Sequence, residues 1–170
     1  FSVPVESICA NSVFIHDAEK RIQTINASAV VIAPDKGSID LCKDFADQLK
    51  IPLCVGKKSR EGGNVEISLD DKTDIENKHC IVRDDMIDSG GTIAAVVNNL
   101  LDSGAVHVTI YATQGVFGCP TQEFLKLISL SNVNCIVTDT VHLDEATEKQ
   151  VADVEIISHG PIFNSEQVYT

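Results

Sequence analysis

Tryptophan is absent from the 170 residues, and so are the GxGxxG and GxxxxGK[ST] loop signatures. No stretch carries the ligand spacing of an EF-hand calcium loop, and no two cysteines form a CxxC pair. The six cysteines (Cys9, Cys42, Cys54, Cys80, Cys119 and Cys135) are scattered, mostly in apolar segments where a free thiol acts as a small hydrophobe. That argues against a zinc site or a disulfide framework and makes a reducing cytosol the expected, cytoplasmic setting. No apolar run approaches transmembrane length, and no signal peptide is expected. Basic residues are also scarce. Thirteen Lys and Arg face twenty-five Asp and Glu, for a net charge of −12. Without a basic stripe to meet phosphates in bulk, neither nucleic acid nor an anionic membrane is an expected partner. The five histidines (His16, His79, His107, His142, His159) show no metal-ligand spacing and read as ordinary surface or strand residues.

What remains is an ordinary globular composition, 44% hydrophobic and 22% charged, long enough for one well-cored domain spanning residues 1–170. Residues 1–10 are apolar and read as an extended lead-in. Asp17 reads as a helix cap ahead of Ala18, Ile22 and Ile25. Residues 29–33 form a continuous apolar run, as in a strand covered on both faces. Ile39, Cys42, Phe45, Ala46 and Leu49 then make a helical stripe, followed by a short strand over residues 52–55 and a polar stretch over 56–63. Residues 67–69 and 80–83 read as further strands. Ile93, Val96, Val97, Leu100 and Leu101 have helical spacing, and Ser103-Gly104 supplies the stop. Residues 106–112 alternate as a strand, 114–120 read as a loop, and 124–128, 135–137 and 154–157 as helix, strand and strand, before a short C-terminal helix or tail. Alternating strands and helices predict an α/β fold with a mainly parallel sheet flanked by helices, its loops of interest at the carboxyl ends of the strands.

Cys80-Ile81-Val82-Arg83-Asp84-Asp85-Met86-Ile87-Asp88-Ser89-Gly90-Gly91-Thr92 is the stretch around which the rest is arranged. It passes from an apolar strand through an acidic turn into a helix. Gly90 and Gly91 let backbone N–H groups approach a ligand, the helix start offers unpaired donors, and Ser89 and Thr92 add hydroxyls, which together make a phosphate cradle. Asp84 and Asp85 suit a different task, accepting from sugar hydroxyls or from magnesium-bound water. Vicinal hydroxyls at one end and a phosphate at the other describe a pentose phosphate. An Asp-rich surface turn capping a helix is the plainer alternative.

Residues 84–92 resemble the ribose-5-phosphate loop of the type I phosphoribosyltransferase fold, most closely in the ribose-phosphate pyrophosphokinase (PRPP synthetase) family. The resemblance implies a Rossmann-like three-layer architecture and extends over nearly the whole chain. Through it, Asp35-Lys36-Gly37-Ser38 is similar to the family's pyrophosphate loop, with Asp35 holding Mg²⁺ and the amides of Lys36, Gly37 and Ser38 receiving phosphate oxygens. Lys36 and Ser38 stand where small residues and glycine are usual. Taken alone, the same residues also fit a Pro-Asp-x-Gly turn with Ser38 as an N-cap. Residues 56–65 resemble the family's mobile catalytic loop, so that Lys58 and Arg60 fall on its catalytic cations; a solvated basic loop is the alternative. Residues 111–117 resemble a further family stretch, but Gln114 replaces its histidine, and Arg83 replaces a usual apolar residue.

The resemblance covers only the C-terminal half of the family's enzymes, and residues 1–10 resemble the link between their halves. It implies that the parent transfers the diphosphoryl group of Mg-ATP to ribose 5-phosphate, making PRPP, in a homo-oligomer. Asp84 and Asp85 would take the ribose hydroxyls, and Asp88, Ser89, Gly90, Gly91 and Thr92 the 5-phosphate. A PRPP-consuming phosphoribosyltransferase and a non-catalytic PRPP-synthetase-associated regulatory protein are the two alternatives.

Overall fold

The computed structural model describes residues 9–61, 64–69 and 74–158, excepting the side chains of 57–61 and 64–69. Its elements in order are α1 (Asn11–Ile25), β1 (Ala29–Ala33), α2 (Ile39–Leu49), β2 (Leu53–Glu61), β3 (Asn64–Leu69), β4 (His79–Ile87), α3 (Gly91–Asp102), β5 (His107–Gly115), α4 (Gln122–Ile128), β6 (Val133–Thr138), α5 (Glu145–Gln150) and β7 (Val154–Ile157). The strands form one sheet in the order β3-β2-β1-β4-β5-β6-β7. Six of them run parallel, and β3 alone is antiparallel, folded back on β2 as a hairpin.

Period-2 alternation explains the three layers. Val30, Ile32, Cys80, Val82, Val108 and Ile110 face one core, shared with α3 and α4. Val31, Ala33, Ile81, Tyr111 and Ile136 face the other, against Phe14 and Ala18 of α1 and Cys42, Phe45 and Ala46 of α2. A strand apolar on both faces belongs in the middle of such a sandwich. The α/β architecture expected from the sequence is therefore present.

The topology also fixes where a ligand belongs. From β1 the chain leaves through α2 on one face to reach β2, whereas from β4 it leaves through α3 on the other face to reach β5. Because β1 and β4 are neighbours, their carboxyl ends diverge into a crevice at the point where the winding reverses.

Several sequence expectations change. Asp17 caps nothing: α1 already begins at Asn11 behind a helical Ala10, and Asp17 sits mid-helix, paired with Arg21 at 2.6 Å. Ala10 is thus not extended, while residues 1–8 of the expected lead-in lie outside the described residues, as does the C-terminal helix or tail beyond 158. Residues 56–61 and 64–65, expected as loop, are hairpin strands with Lys58 opposite Ile67 and Arg60 opposite Val65. Residues 84–87 are strand rather than turn, because β4 stays paired with β5 as far as Ile87 and Gly115. For the same reason Gln114 and Gly115 belong to β5. Helix α5 has no apolar stripe, since none of its residues is buried; its only signals are the Asp144 cap and the Glu145, Glu148 and Lys149 charges at its two ends.

Candidate functional site

The crevice between β1 and β4 brings together the two loops singled out in the sequence. A cleft of ≈ 440 Å³ is lined by Asp35, Gly37, Ser38, Asp40 and Leu41 on one side and by Asp84 and Asp85 on the other. A second, of ≈ 240 Å³, runs on from Asp35, Asp84 and Asp85 along Met86 to Ile93. The three acids shared by both clefts join them into one site. Lys36 is exposed at its rim.

On the β1 side, the Asp35 carboxylate shapes its own turn. Oδ1 accepts from the Gly37 amide at 2.8 Å and the Ser38 amide at 3.1 Å. The Ser38 hydroxyl donates back to the Asp35 carbonyl at 3.0 Å, so it does not cap α2, and no other side chain does. The first N–H groups of α2 are therefore uncapped at the mouth of the cleft. Two of the amides expected to meet phosphate oxygens directly are instead held by Asp35.

On the β4 side, Asp84 is half-buried and accepts from the Asp85 amide at 3.0 Å. Burial, reinforced by the charges of Asp85 and Asp35, pushes its carboxyl up to about 6. Asp85 is exposed. The chain turns into α3 through Gly90, whose φ of 72° is left-handed. Any Cβ there would collide with the Phe124 ring beneath it, so glycine is required twice over. Ser89 Oγ accepts from the Gly91 amide at 3.4 Å, and α3, like α2, starts without a side-chain cap. Asp88 lines the second cleft, and its carboxylate also reaches the next loop, where Oδ1 accepts from the Gly118 amide at 3.0 Å.

Arg83 is fully buried beneath the site. Its guanidinium donates to the carbonyl of Asp84, to Asn11 Oδ1 at 3.0 Å and to Thr113 Oγ1 at 2.9 Å, and lies 4.9 Å over the Phe14 ring. Burial lowers its pKa to about 10. Among the described residues no carboxylate pairs with it. Gln114 is exposed at the end of β5, in register with Met86. Lys58 and Arg60 lie on the part of β2 that continues past the end of β1; their side chains are outside the described residues.

Sequence reasoning missed Gly118, Phe124 and the partners of Arg83, all of which act across long sequence separations without a local pattern. Thr121, which caps α4 by accepting from the Phe124 amide at 3.2 Å, was readable as a Thr ahead of Gln122-Glu123 and an apolar stripe.

Among the described residues, no group of three or more His, Cys, Asp and Glu is arranged for a metal ion. Magnesium needs none, since one or two carboxylates with ligand phosphates and water complete its oxygen shell. Asp35, with Oδ1 engaged by amides and the acids of β4 across the cleft, fits that donor set. No helix among the described residues is long and apolar enough to cross a membrane.

Residues 5–117 match the family model for the phosphoribosyl transferase domain. The chain is 32% identical to the ribose-phosphate pyrophosphokinase of Caldanaerobacter subterraneus subsp. tengcongensis, over 96% of this chain and 50% of that protein. It is 33% identical to the ribose-phosphate pyrophosphokinase of Aquifex aeolicus, over 95% of this chain and 50% of that one. The crystal structure of phosphoribosylpyrophosphate synthetase from Mycobacterium smegmatis superposes with a TM-score of 0.77 at 29% identity, covering 96% of this chain and 51% of that one. The chain thus spans about half the length of the curated relatives it matches. With two-thirds of its length on the family model and this crevice at the reversal of its sheet, the chain belongs to the phosphoribosyl transferase domain family.

Proposed function

We propose that this chain is the ribose 5-phosphate-binding half of a ribose-phosphate pyrophosphokinase. One observation carries the reading: the Asp35 turn and residues 84–92 open on a single crevice, with acids on one flank and two uncapped helix starts at its rim. Asp84 and Asp85 accept from the ribose hydroxyls. Ser89, Gly90, Gly91 and Thr92 receive the 5-phosphate, where the dipole of α3 favours an anion. Asp35 would hold magnesium, whose charge offsets that of the diphosphoryl oxygens on the α2 side.

In the whole enzyme the C1 hydroxyl of ribose 5-phosphate would attack the β-phosphorus of ATP, releasing AMP and leaving PRPP. Catalysis is then mostly positioning and charge neutralisation, with Lys58 and Arg60 on the hairpin supplying cations to the transferring group. ATP binding would draw on the other half of the protein and on a neighbouring subunit of a cytoplasmic homo-oligomer. Three features favour the regulatory alternative, namely Arg83, Gln114 and a resemblance to the C-terminal half alone; the first is weakened, because Arg83 lies in the core and not in the crevice.

Calorimetric titration of this chain with ribose 5-phosphate tests the reading. Saturable binding should be lost in Asp85→Ala, while ribose and inorganic phosphate, each carrying half the recognition, should bind more weakly. A wild-type chain that takes up no ribose 5-phosphate would refute it.

A further inference from the structure

An anion-binding loop that opens with a carboxylate poses a problem, since Asp88 facing a phosphate would repel it. Asp88 lines the cleft with the rest of the loop, but one of its carboxylate oxygens is taken by a backbone N–H of the next loop. Residues 116–121, between β5 and α4, lie against the anion loop through four backbone N–H groups. Those of Val116 and Phe117 donate to the Ile87 carbonyl at 2.8 and 3.2 Å, and that of Thr121 to the Ser89 carbonyl at 2.9 Å. The fourth, from Gly118, is the only one of the four met by a side chain, Asp88 Oδ1. Gly118 has no left-handed φ to explain its identity. A Cβ there would stand 2.9 Å from the Asp88 oxygen, so a larger residue would displace the carboxylate from the amide.

We propose that Asp88 is a positioning residue, its carboxylate latching the middle of residues 116–121 beside the anion loop and leaving phosphate contact to Ser89, Gly90, Gly91 and Thr92. The inference deepens the ribose 5-phosphate reading and rests on it for its binding consequence only. A carboxylate accepting a backbone N–H makes a charge-assisted bond, stronger than a neutral one. The latch needs an oxygen acceptor but no charge on the ligand side. This separates it from any direct role for Asp88.

Three variants of the chain decide the matter. Asp88→Asn keeps an oxygen at the same place, Asp88→Ala removes it, and Gly118→Ala leaves Asp88 intact but crowds its carboxylate off the amide. In ligand-free protein, hydrogen exchange at the Gly118 amide should stay within about threefold of wild type in Asp88→Asn and rise about tenfold or more in Asp88→Ala. Calorimetric affinity for ribose 5-phosphate should follow: a loss of no more than about threefold for Asp88→Asn, about tenfold for Asp88→Ala and an intermediate loss for Gly118→Ala. Equal losses of affinity in Asp88→Asn and Asp88→Ala would overturn the proposal, because the charge itself would then act on the ligand. Unchanged Gly118 exchange in Asp88→Ala would overturn it too. If wild type bound no ribose 5-phosphate, the reading of the site would fail while the exchange arm still decided the latch. If Asp88→Ala did not fold, Gly118→Ala with wild-type affinity would refute it.

Discussion

At its first residue, strand β4 enters a web of side chains bonded to one another; toward its carboxyl end, at Asp84 and Asp85, it leaves polar groups facing a cleft. His79 Nε2 lies 2.8 Å from Thr109 Oγ1 and its ring meets His107 edge-on, while His107 bonds Asn134 at 2.7 Å. Asn134 reaches Glu155, Glu155 pairs with Arg21, and Arg21 with Asp17, which also accepts from the Tyr111 hydroxyl at 2.7 Å. Of the buried side-chain polar atoms among the described residues, only His79 Nδ1 has no partner. Five and six residues on, Asp84 and Asp85 open to a cleft, and helices α2 and α3 start uncapped. Their neighbours α4 and α5 are capped, by Thr121 and Asp144. Helix α1, behind Ala10, also lacks a side-chain cap, so an open start is not peculiar to the crevice; what sets α2 and α3 apart is that their open starts face a shared cleft.

The open end is the easier one to break. Gly90→Ala places a methyl against the Phe124 ring and forces a side chain into a left-handed φ. Overpacking and backbone strain together should cost about 3 kcal/mol or more, read as a lower urea midpoint, with anion binding abolished. Gly91→Ala is the control, for its Cβ would meet nothing closer than Ser89 Oγ at 3.8 Å. It should leave stability nearly unchanged. Equal damage at both glycines would show that the loop is governed by general packing and not by the Phe124 floor.

Two threonines set the open and capped helix starts against each other. Thr121→Ala removes the α4 cap and should lower stability by about 1 kcal/mol while ribose 5-phosphate affinity shifts little. Thr92→Val, at the start of α3, should do the reverse, costing about tenfold in affinity with stability within about 0.5 kcal/mol. Denaturation and calorimetry on the same two variants read both quantities. If Thr92→Val destabilises as much as Thr121→Ala, its hydroxyl serves the fold.

Much of this contrast could be read in the chain beforehand. Residues 29–33 are apolar throughout and are strand β1 to the residue, and the stripe from Ile93 to Leu100 is the buried face of α3. The residue types of the crevice were legible too, because acids followed by hydroxyls and glycines at a helix start have few other joint uses. What stayed hidden was non-local. Residues 84–87 look like turn because their composition is acidic, yet pairing with β5 keeps them extended. The β2 arm of the hairpin, Gly56 to Glu61, is polar throughout and masks a strand, although Val65, Ile67 and Leu69 alternate in its partner β3, and the six residues of α5 bury nothing that could mark a helix. Arg83 stood out as unusual, but its partner Asn11 is 72 residues away.

The smallest effect comes from titrating one group at each end of β4. Burial pushes the Asp84 carboxyl from 3.8 up to about 6, while burial and the neighbouring His107 push His79 from 6.5 down to about 4. The signs oppose. A raised pKa gives stability that is present in acid and lost as pH rises through about 6; a depressed one gives stability present at neutral pH and lost as the unfolded chain takes up its proton below 6.5. Between pH 7 and pH 5 the Asp84 gain of about 1 kcal/mol should nearly offset a His79 loss of about 2 kcal/mol, leaving a net change under about 1 kcal/mol. Asp84→Asn removes the gain, so its denaturation midpoint should fall over that range more steeply than wild type's. His79→Gln removes the loss, and its midpoint should rise slightly as pH falls. If both variants instead kept the wild-type slope, neither group would be held away from its ordinary pKa, and burial would not distinguish the two ends of the strand.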